Sequence, residues 1–466
     1  MKLSTEGAVL VDEHGRQRVL HGINLVQKEA PFQAAWDAED LAQLVDMGLD
    51  AVRLGVMWAA VEPEPGLYDE EHLAHLEEQL DMLHRAGLAV VLDAHQDLFS
   101  QSFGDGAPAW ATLTTHAYEP AGLWSEAYLS SSAVQESLDA FWADAPGPGG
   151  VGIRSRFVAM WAHVARRLVG HPAVIAVDVL NEPAPGALAG QAFEALLGSL
   201  AARTGQEPGV VAEELADPGR RLSQLARLED PALHRAVTDD VAGLLAPFES
   251  GPVQDLFVQA AAAIREVRPG MLILREHGYF SNLGVPAAIA PLEGPWAYSP
   301  HGYDLVVDTE AMVLASDQRI STIFARAAET AQRLGAPVVV GEWGAFGDLV
   351  GIGAHAETQL EMFDERSWSW FYWTWESSFP HSEAAGHLRR PHPVAVAGRE
   401  LRAGHSAGGS WKAAWTGRAC AAPTEFWVPP ERDVELIIDG ARASILREGA
   451  RVLIDPLEGE HRLRVL

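Results

Sequence analysis

Short apolar runs rich in Val, Ile, Leu and Ala alternate with amphipathic stretches over most of the 466 residues. Apolar runs without a polar break mark strands buried on both faces, and apolar residues three and four apart mark helices packed on one side. The pattern predicts eight strands, at Val19–Leu25, Ala51–Leu54, Ala89–Ala94, Val174–Leu180, Met271–Glu276, Trp296–Ser299, Pro337–Gly341 and Ser369–Trp373. Helical spacing falls between them at Glu39–Met47, His72–Ala86, Arg154–Leu168, Asp255–Val267 and Arg319–Leu334. Alternation of this kind predicts an α/β fold, a (β/α)8 barrel with the helices as its outer ring.

Two connections are long. Ser100–Gly150 is rich in Gly, Pro, Ser and Trp, and Ala184–Gly251 mixes helical spacing with breaker residues. Long loops in a compact barrel wall or cover binding sites, so both are expected to shape the mouth. After about Pro391 the helical period fades, and Thr424–Val428, Val434–Ile438, Ala443–Arg447, Val452–Ile454 and His461–Leu466 read as short strands. Asp439-Gly440 and Glu448-Gly449 are hairpin-turn dipeptides between them. The expected division is a catalytic barrel over residues 1–390 and a small β-sandwich over 391–466.

Composition narrows the partners. A formal net charge of −30 opposes binding to nucleic acid, which needs clustered Lys and Arg, and gives no help in docking to anionic lipid. No apolar run approaches the roughly 20 residues that span a bilayer. Cys420 is the single cysteine, so the fold cannot rest on an intrachain disulfide. The start, Met1-Lys-Leu-Ser-Thr-Glu-Gly7, lacks the apolar core of a signal peptide, which leads us to expect a cytoplasmic chain, or a secreted one if a leader has been removed. No obligate protein partner is expected.

The chemistry lies at strand ends. Asn181-Glu182-Pro183 follows the apolar run Val174–Leu180, and Glu342 ends another in Pro337-Val-Val-Val-Gly-Glu342. In a (β/α)8 barrel the C-terminal strand ends face the active site, so two carboxylates distant in sequence converge at one rim. A retaining glycosidase uses such a pair about 5–5.5 Å apart, one carboxyl protonating the leaving oxygen and the other attacking the anomeric carbon. This predicts Glu182 as general acid/base and Glu342 as nucleophile. Asn181 is placed to donate to a sugar 2-hydroxyl, and Arg53, in Ala51-Val-Arg-Leu54, to hold Glu342 ionised.

Asp93-Ala-His95-Gln-Asp97 and Pro300-His301-Gly-Tyr303 put further polar groups at the same rim. Tyr303 is expected to touch Glu342, and His95, Asp97 and His301 to bind hydroxyls. Trp373 and Trp375 offer flat faces for stacking on a sugar, one of the two serving equally well as core. The eighteen His form no ligand cluster with metal spacing at strand ends, so neither a metal nor a cofactor is expected.

Asn181-Glu182-Pro183, Arg53, His301–Tyr303 and Glu342 together resemble glycoside hydrolase family 5 over the barrel. His21-Gly-Ile-Asn-Leu-Val-Gln-Lys28-Glu-Ala-Pro31, Asp93–Ser100 and Gly104-Asp-Gly-Ala-Pro-Ala-Trp110 resemble endoglycoceramidases and related glycosylceramidases within it, and a β-sandwich tail agrees. The resemblance implies that Lys28, Asp97, Asn181 and Glu182 grip the sugar next to a lipid, with Glu342, Tyr303 and Trp375 close by. Lys28 also has weight of its own, because Lys2, Lys28 and Lys412 are the only lysines in an Arg-rich chain.

Each residue has a plainer reading. Asn-Glu-Pro alone is a common turn signal, Lys28 a surface charge, and Asp93 an anchor for its strand. Strand context and the pairing with Glu342 and Arg53 favour the chemical reading. The expected activity is hydrolysis of a β-linked glycan or sugar from a ceramide-type lipid, with a glycolipid or hydrophobic β-glycoside as substrate and transient membrane or micelle contact. The alternatives are a β-glucosidase or endoglucanase-like hydrolase of other hydrophobic glucosides or oligosaccharides, and a non-catalytic glycolipid-binding protein.

Overall fold

The computed structural model describes residues 1–33, 36–405 and 410–466. Eight parallel strands form the barrel: β1 (His21–Leu25), β2 (Ala51–Val56), β3 (Ala89–Ala94), β4 (Val174–Asp178), β5 (Leu272–Glu276), β6 (Trp296–Ser299, resuming as His301–Gly302), β7 (Val339–Gly344) and β8 (Ser369–Trp373). They pair in sequence order, and β8 pairs with β1. Closure runs from β6 to β7 through Tyr298 beside Val338 and His301 beside Glu342. Pro300, which has no N–H to give a ladder, splits β6, yet its carbonyl still accepts from Gly341 N at 3.1 Å.

Alternation along each strand divides two layers. Val91, Ile175, Leu272, Leu274, Val339 and Phe371 point into the barrel, with Leu3 and Leu10 joining them. Val90, Leu92, Val177 and Ile273 point outward into the helix layer. Both faces are buried, which is why the runs are continuously apolar. Gly22 is required by this packing, since a Cβ there would lie 2.3 Å from Cδ1 of Phe371.

The outer helices begin and end on local signals. Asp69 accepts the N–H groups of Glu71 and His72 at the start of Glu70–Ala86, and Gly87, at φ 82°, ends it. Ser316 and Gly335 do the same for Asp317–Leu334. No helix of the described residues is long and apolar enough to cross a membrane.

The tail holds more strands than the hydrophobic pattern predicted. His392–Val396, Gly398–His405 and Trp411–Gly417 precede the expected set. Two antiparallel sheets pack over Trp411, Trp415, Phe426, Leu436, Val452 and Leu463. Three short N-terminal strands, Leu3–Glu6, Val9–Asp12 and Gln17–Arg18, extend one of these sheets through pairing of Gln17–Arg18 with Ala395–Val396. That sheet therefore draws on both ends of the chain rather than on residues 391–466 alone. The Asp439-Gly440 turn has positive φ at both residues, 47° and 81°, as a tight two-residue hairpin demands.

Candidate active site

The C-terminal ends of the strands surround a cavity of about 270 Å³. Its lining carries the polar side chains of Lys28, His95, Asp97, Glu182, Asn282, Tyr303 and Glu342 together with the apolar ones of Leu123, Trp124, Leu283, Leu305, Val307 and Trp373.

Glu182 sits in the turn directly after β4 with φ at 44°, a left-handed conformation uncommon for a residue with a Cβ. Neighbouring strands hold that turn. Glu182 N donates to Glu276 Oε2 at 2.7 Å, Asn181 N donates to Ala94 O at 3.0 Å, and Gln96 Nε2 donates to the carbonyls of Asn181 and Glu182. The conformation aims the Glu182 carboxyl into the cavity, where Oε1 accepts from Asn282 Nδ2 at 2.7 Å and lies 3.1 Å from His301 Nδ1. Burial pushes its pKa up to about 7 against the opposing pull of His301.

Glu342, on β7, is held by opposite means. Arg53 Nη1 donates to Oε1 at 2.7 Å and the Tyr303 hydroxyl donates to Oε2 at 2.7 Å. One carboxylate oxygen of Glu182, one of Glu342 and a ring nitrogen of His301 all lie within 4.8 Å of one another. So close an approach of the two carboxyls matches the roughly 5–5.5 Å separation of retaining glycosidases better than the roughly 6.5–9.5 Å of inverting ones.

Arg53 lies beneath the cavity, fully buried, and binds four carboxylates: Asp93 at 2.8 Å, Asp178 at 3.1 Å, Glu276 at 3.0 Å and Glu342. It also donates to Asn24 and Asn181 through their side-chain oxygens. One guanidinium cannot balance four charges. Burial pushes Asp93 up to about 7 and Asp178 well above the carboxylate range, and Asp178 is hydrogen-bonded to Glu276. Glu276 itself falls to about 2, because His301 and Arg53 outweigh its burial. His301 is in turn raised well above its ordinary value, burial being overcome by Glu276 and Glu342.

The sequence candidates divide by position. Lys28, His95, Asp97, Glu182, Tyr303 and Glu342 line the cavity. Lys28 Nζ donates to Asp97 Oδ2 and stands 4.4 Å over the Trp373 ring. His95 stacks on Trp373 at 5.1 Å, its Nδ1 meets Asp93 Oδ2 at 2.9 Å, and its buried Nε2, 3.9 Å from Asp97 Oδ2, has no hydrogen-bond partner among the described residues. Burial and then Lys28 push the His95 pKa down to about 3, so the ring is neutral. Arg53, Asn181 and His301 stand behind the lining; Asn181 gives Nδ2 to Gln96 O at 3.2 Å and keeps one amide N–H.

Trp375 departs from the expectation. It lies outside the cavity lining and packs edge-on against Trp36 at 6.1 Å, because β8 ends at Trp373 and the alternation that would have put both indoles on one face ends with it. Trp373 takes the place in the wall. The long connection Ala184–Gly251 also supplies none of the lining residues; it folds largely as helices, among them Leu188–Thr204 and Pro231–Phe248. The other long connection does supply Leu123, Trp124 and Ser125.

Glu276, Asn282, Trp124 and Asp308 were not singled out by sequence reasoning. The rule that strand ends face the site reaches Glu276; no sequence signal marks Asn282, six residues further on in the 3-10 turn Tyr279–Leu283. Among the described residues, His and carboxylate groups cluster twice more around the site, as His95–Asp97–Asp105 and Asp178–Glu276–His301, and once away from it, as Glu357–Glu361–His405. Lys28 and Arg53 already supply the positive charge that a metal would bring to the two around the site.

The glycosyl hydrolase family 5 (cellulase) model matches residues 11–379. The chain belongs to glycosyl hydrolase family 5. Within this family, it is similar to endoglycoceramidase I of Rhodococcus hoagii (strain 103S), 36% identical over 189 residues. That alignment covers 40% of this chain and 37% of the relative, so the chain spans well under half the length of that curated protein. Endo-glycoceramidase II from Rhodococcus sp. shares the fold with a TM-score of 0.75 at 25% identity, covering 98% of each chain. Its complex with ganglioside GM3 superposes with a TM-score of 0.76 at 23% identity, over 99% of each chain.

Proposed function

We propose that this family 5 protein hydrolyses the β-linkage between a sugar or glycan and a lipid aglycone of the ceramide type, with net retention. The observation that carries the proposal is the pair Glu182 and Glu342, with carboxylate oxygens within 4.8 Å of one another, in a cavity lined by both polar and apolar side chains. Glu342, oriented by its hydrogen bonds from Arg53 and Tyr303, attacks the anomeric carbon while Glu182 gives its proton to the leaving oxygen. The bond to the aglycone breaks and a glycosyl ester on Glu342 forms. Glu182, now a carboxylate, takes a proton from water, which attacks the same carbon and frees the sugar. Its raised pKa suits both roles near neutral pH.

The sugar sits among Lys28, Asp97, His95, Asn181 and Trp373. His95 Nε2 and the free amide N–H of Asn181 serve its hydroxyls, and the Trp373 face meets its C–H surface. The lipid leaves along Leu123, Leu283, Leu305 and Val307. Leu314 and Val350, exposed by 57% and 79% on the loops after β6 and β7, give this end of the barrel apolar contacts for a membrane or micelle. The names of the relatives support the lipid aglycone.

The same apolar lining residues suit a steryl or other hydrophobic glucoside. Turnover of glucosylceramide, galactosylceramide, lactosylceramide, a ganglioside, a steryl glucoside and cello-oligosaccharides, with products resolved by mass, separates the readings. Release of intact glycan and ceramide supports the proposal. Cleavage of the steryl glucoside or cello-oligosaccharides alone rejects the ceramide aglycone, and binding without turnover rejects catalysis.

A further inference from the structure

Asn282 lies in a chain of buried side chains that ends on Glu182. The Tyr298 hydroxyl is 2.7 Å from His277 Nδ1, His277 Nε2 is 2.8 Å from Asn282 Oδ1, and Asn282 Nδ2 donates to Glu182 Oε1 at 2.7 Å. All three are nearly or wholly inaccessible to solvent. Because the Asn282 amide oxygen can only accept, His277 carries its proton on Nε2 and donates to it, with Nδ1 left to accept from the tyrosine; the His301 backbone N–H stands at a longer 3.4 Å from Nε2. The amide is thereby turned with its nitrogen toward Glu182. Oε1 then has Asn282 and His301 Nδ1 on it, while among the described residues no donor stands at Oε2.

From this geometry, and resting on the acid/base role proposed above for Glu182, we infer that Asn282 is a positioning residue: held by His277 and Tyr298, it saturates Oε1 and leaves the transferable proton on Oε2. A carboxyl whose two oxygens were equally free would hold its proton toward the leaving oxygen only part of the time. His277 is pushed down to about 4, chiefly by burial and then by His301, so the chain stays neutral and intact at higher pH. The ionisable groups facing Glu182 from the packed elements are His301 on β6, Glu342 on β7, Asp97 after β3, Glu276 on β5, and Tyr128, Tyr279 and Tyr303. Asn282→Ala replaces none of these groups.

The test is kcat/KM against pH for wild type, Asn282→Ala and His277→Ala on two aryl β-glycosides of the accepted sugar. One has a poor leaving group and the other, a 2,4-dinitrophenyl glycoside, departs without protonation. Asn282→Ala should lose about tenfold on the poor leaving group, a part of the ~10²–10⁴-fold that general-acid catalysis supplies. Its alkaline limb should move up by about one unit, because a donor to the ionised form is gone. The dinitrophenyl glycoside should be cleaved within about twofold of wild type. His277→Ala, which reaches Glu182 only through the amide, should move the limb the same way by less, and decides the matter if Asn282→Ala does not fold. An unmoved alkaline limb, or equal losses on both substrates, overturns the inference. Wild type that cleaves neither glycoside overturns the acid/base reading itself and the inference with it.

Discussion

Arg53 Nη1 donates to Glu342 Oε1 at 2.7 Å while its remaining nitrogens bind Asp93, Asp178 and Glu276, so one side chain both orients the attacking carboxylate and neutralises the floor beneath it. Arg53→Lys keeps the charge and loses the fork. It should fold and lose about 10²–10³-fold in kcat/KM. Arg53→Met leaves buried carboxylates without a counter-charge and should cost about 3–5 kcal/mol of stability, measured by chemical denaturation.

Glu182→Ala and Glu342→Gln should fail differently. Without Glu182, poor leaving groups suffer most, activated aryl glycosides least, and azide restores part of the turnover by replacing the water that the missing base would have activated. Without the carboxylate of Glu342, no glycosyl ester forms and activity on every substrate disappears. Steady-state rates with and without azide distinguish them.

Activity and stability should both depend on Glu182 near neutrality. Its folded pKa, about 7, lies above the ordinary 4.5, so the folded chain holds a proton that the unfolded chain releases. The stability associated with that proton is fully present below about 4.5 and is lost as pH rises through about 7. Turnover of substrates that need an acid should decline over the upper part of the same window. Glu182→Gln cannot ionise, so its stability relative to wild type should rise between pH 4.5 and 7, as thermal unfolding across that range would record.

Much of this was legible in the chain. Buried parallel strands are apolar on both faces, so β3, β6 and β8 could be delimited by composition alone, and the rim rule then delivered Glu182, Glu342, His301 and Tyr303. The tail strands Gly398–His405 and Trp411–Gly417 were harder, because Arg399, Glu400, Arg402 and Lys412 interrupt the apolar signal on their exposed face. Of the missed N-terminal strands, Leu3–Glu6 and Val9–Asp12 pair locally but are only four residues each, and Gln17–Arg18 finds Ala395–Val396 across more than 370 residues, which leaves no local mark. Trp375 looked equivalent to Trp373 because period-two alternation says nothing about where a strand stops. Asn282 acquires meaning only through its contacts with His277 and with Glu182, a partner 100 residues away that no periodicity points to.

Trp124 bridges the mouth. Its indole N–H donates to Asp308 Oδ2 at 2.9 Å, and Lys28 Nζ lies 5.8 Å from its ring. Trp124→Ala should leave kcat/KM for a small aryl glycoside nearly unchanged and raise KM for the glycolipid about threefold to tenfold, as expected for loss of an aromatic contact worth ~0.5–1.5 kcal/mol. Steady-state assays on both substrates in detergent check this.

The covalent step is the centre of the account, and a 2-deoxy-2-fluoro glycosyl fluoride of the accepted sugar tests it most directly. The fluorine slows both steps and the good leaving group spares the first, so the ester accumulates. Proteolysis and mass spectrometry should find one sugar per chain, on the peptide that carries Glu342, with activity lost in proportion to labelling. Label on Glu182, or an unlabelled enzyme that turns over its substrate with inversion at the anomeric carbon, would contradict the account.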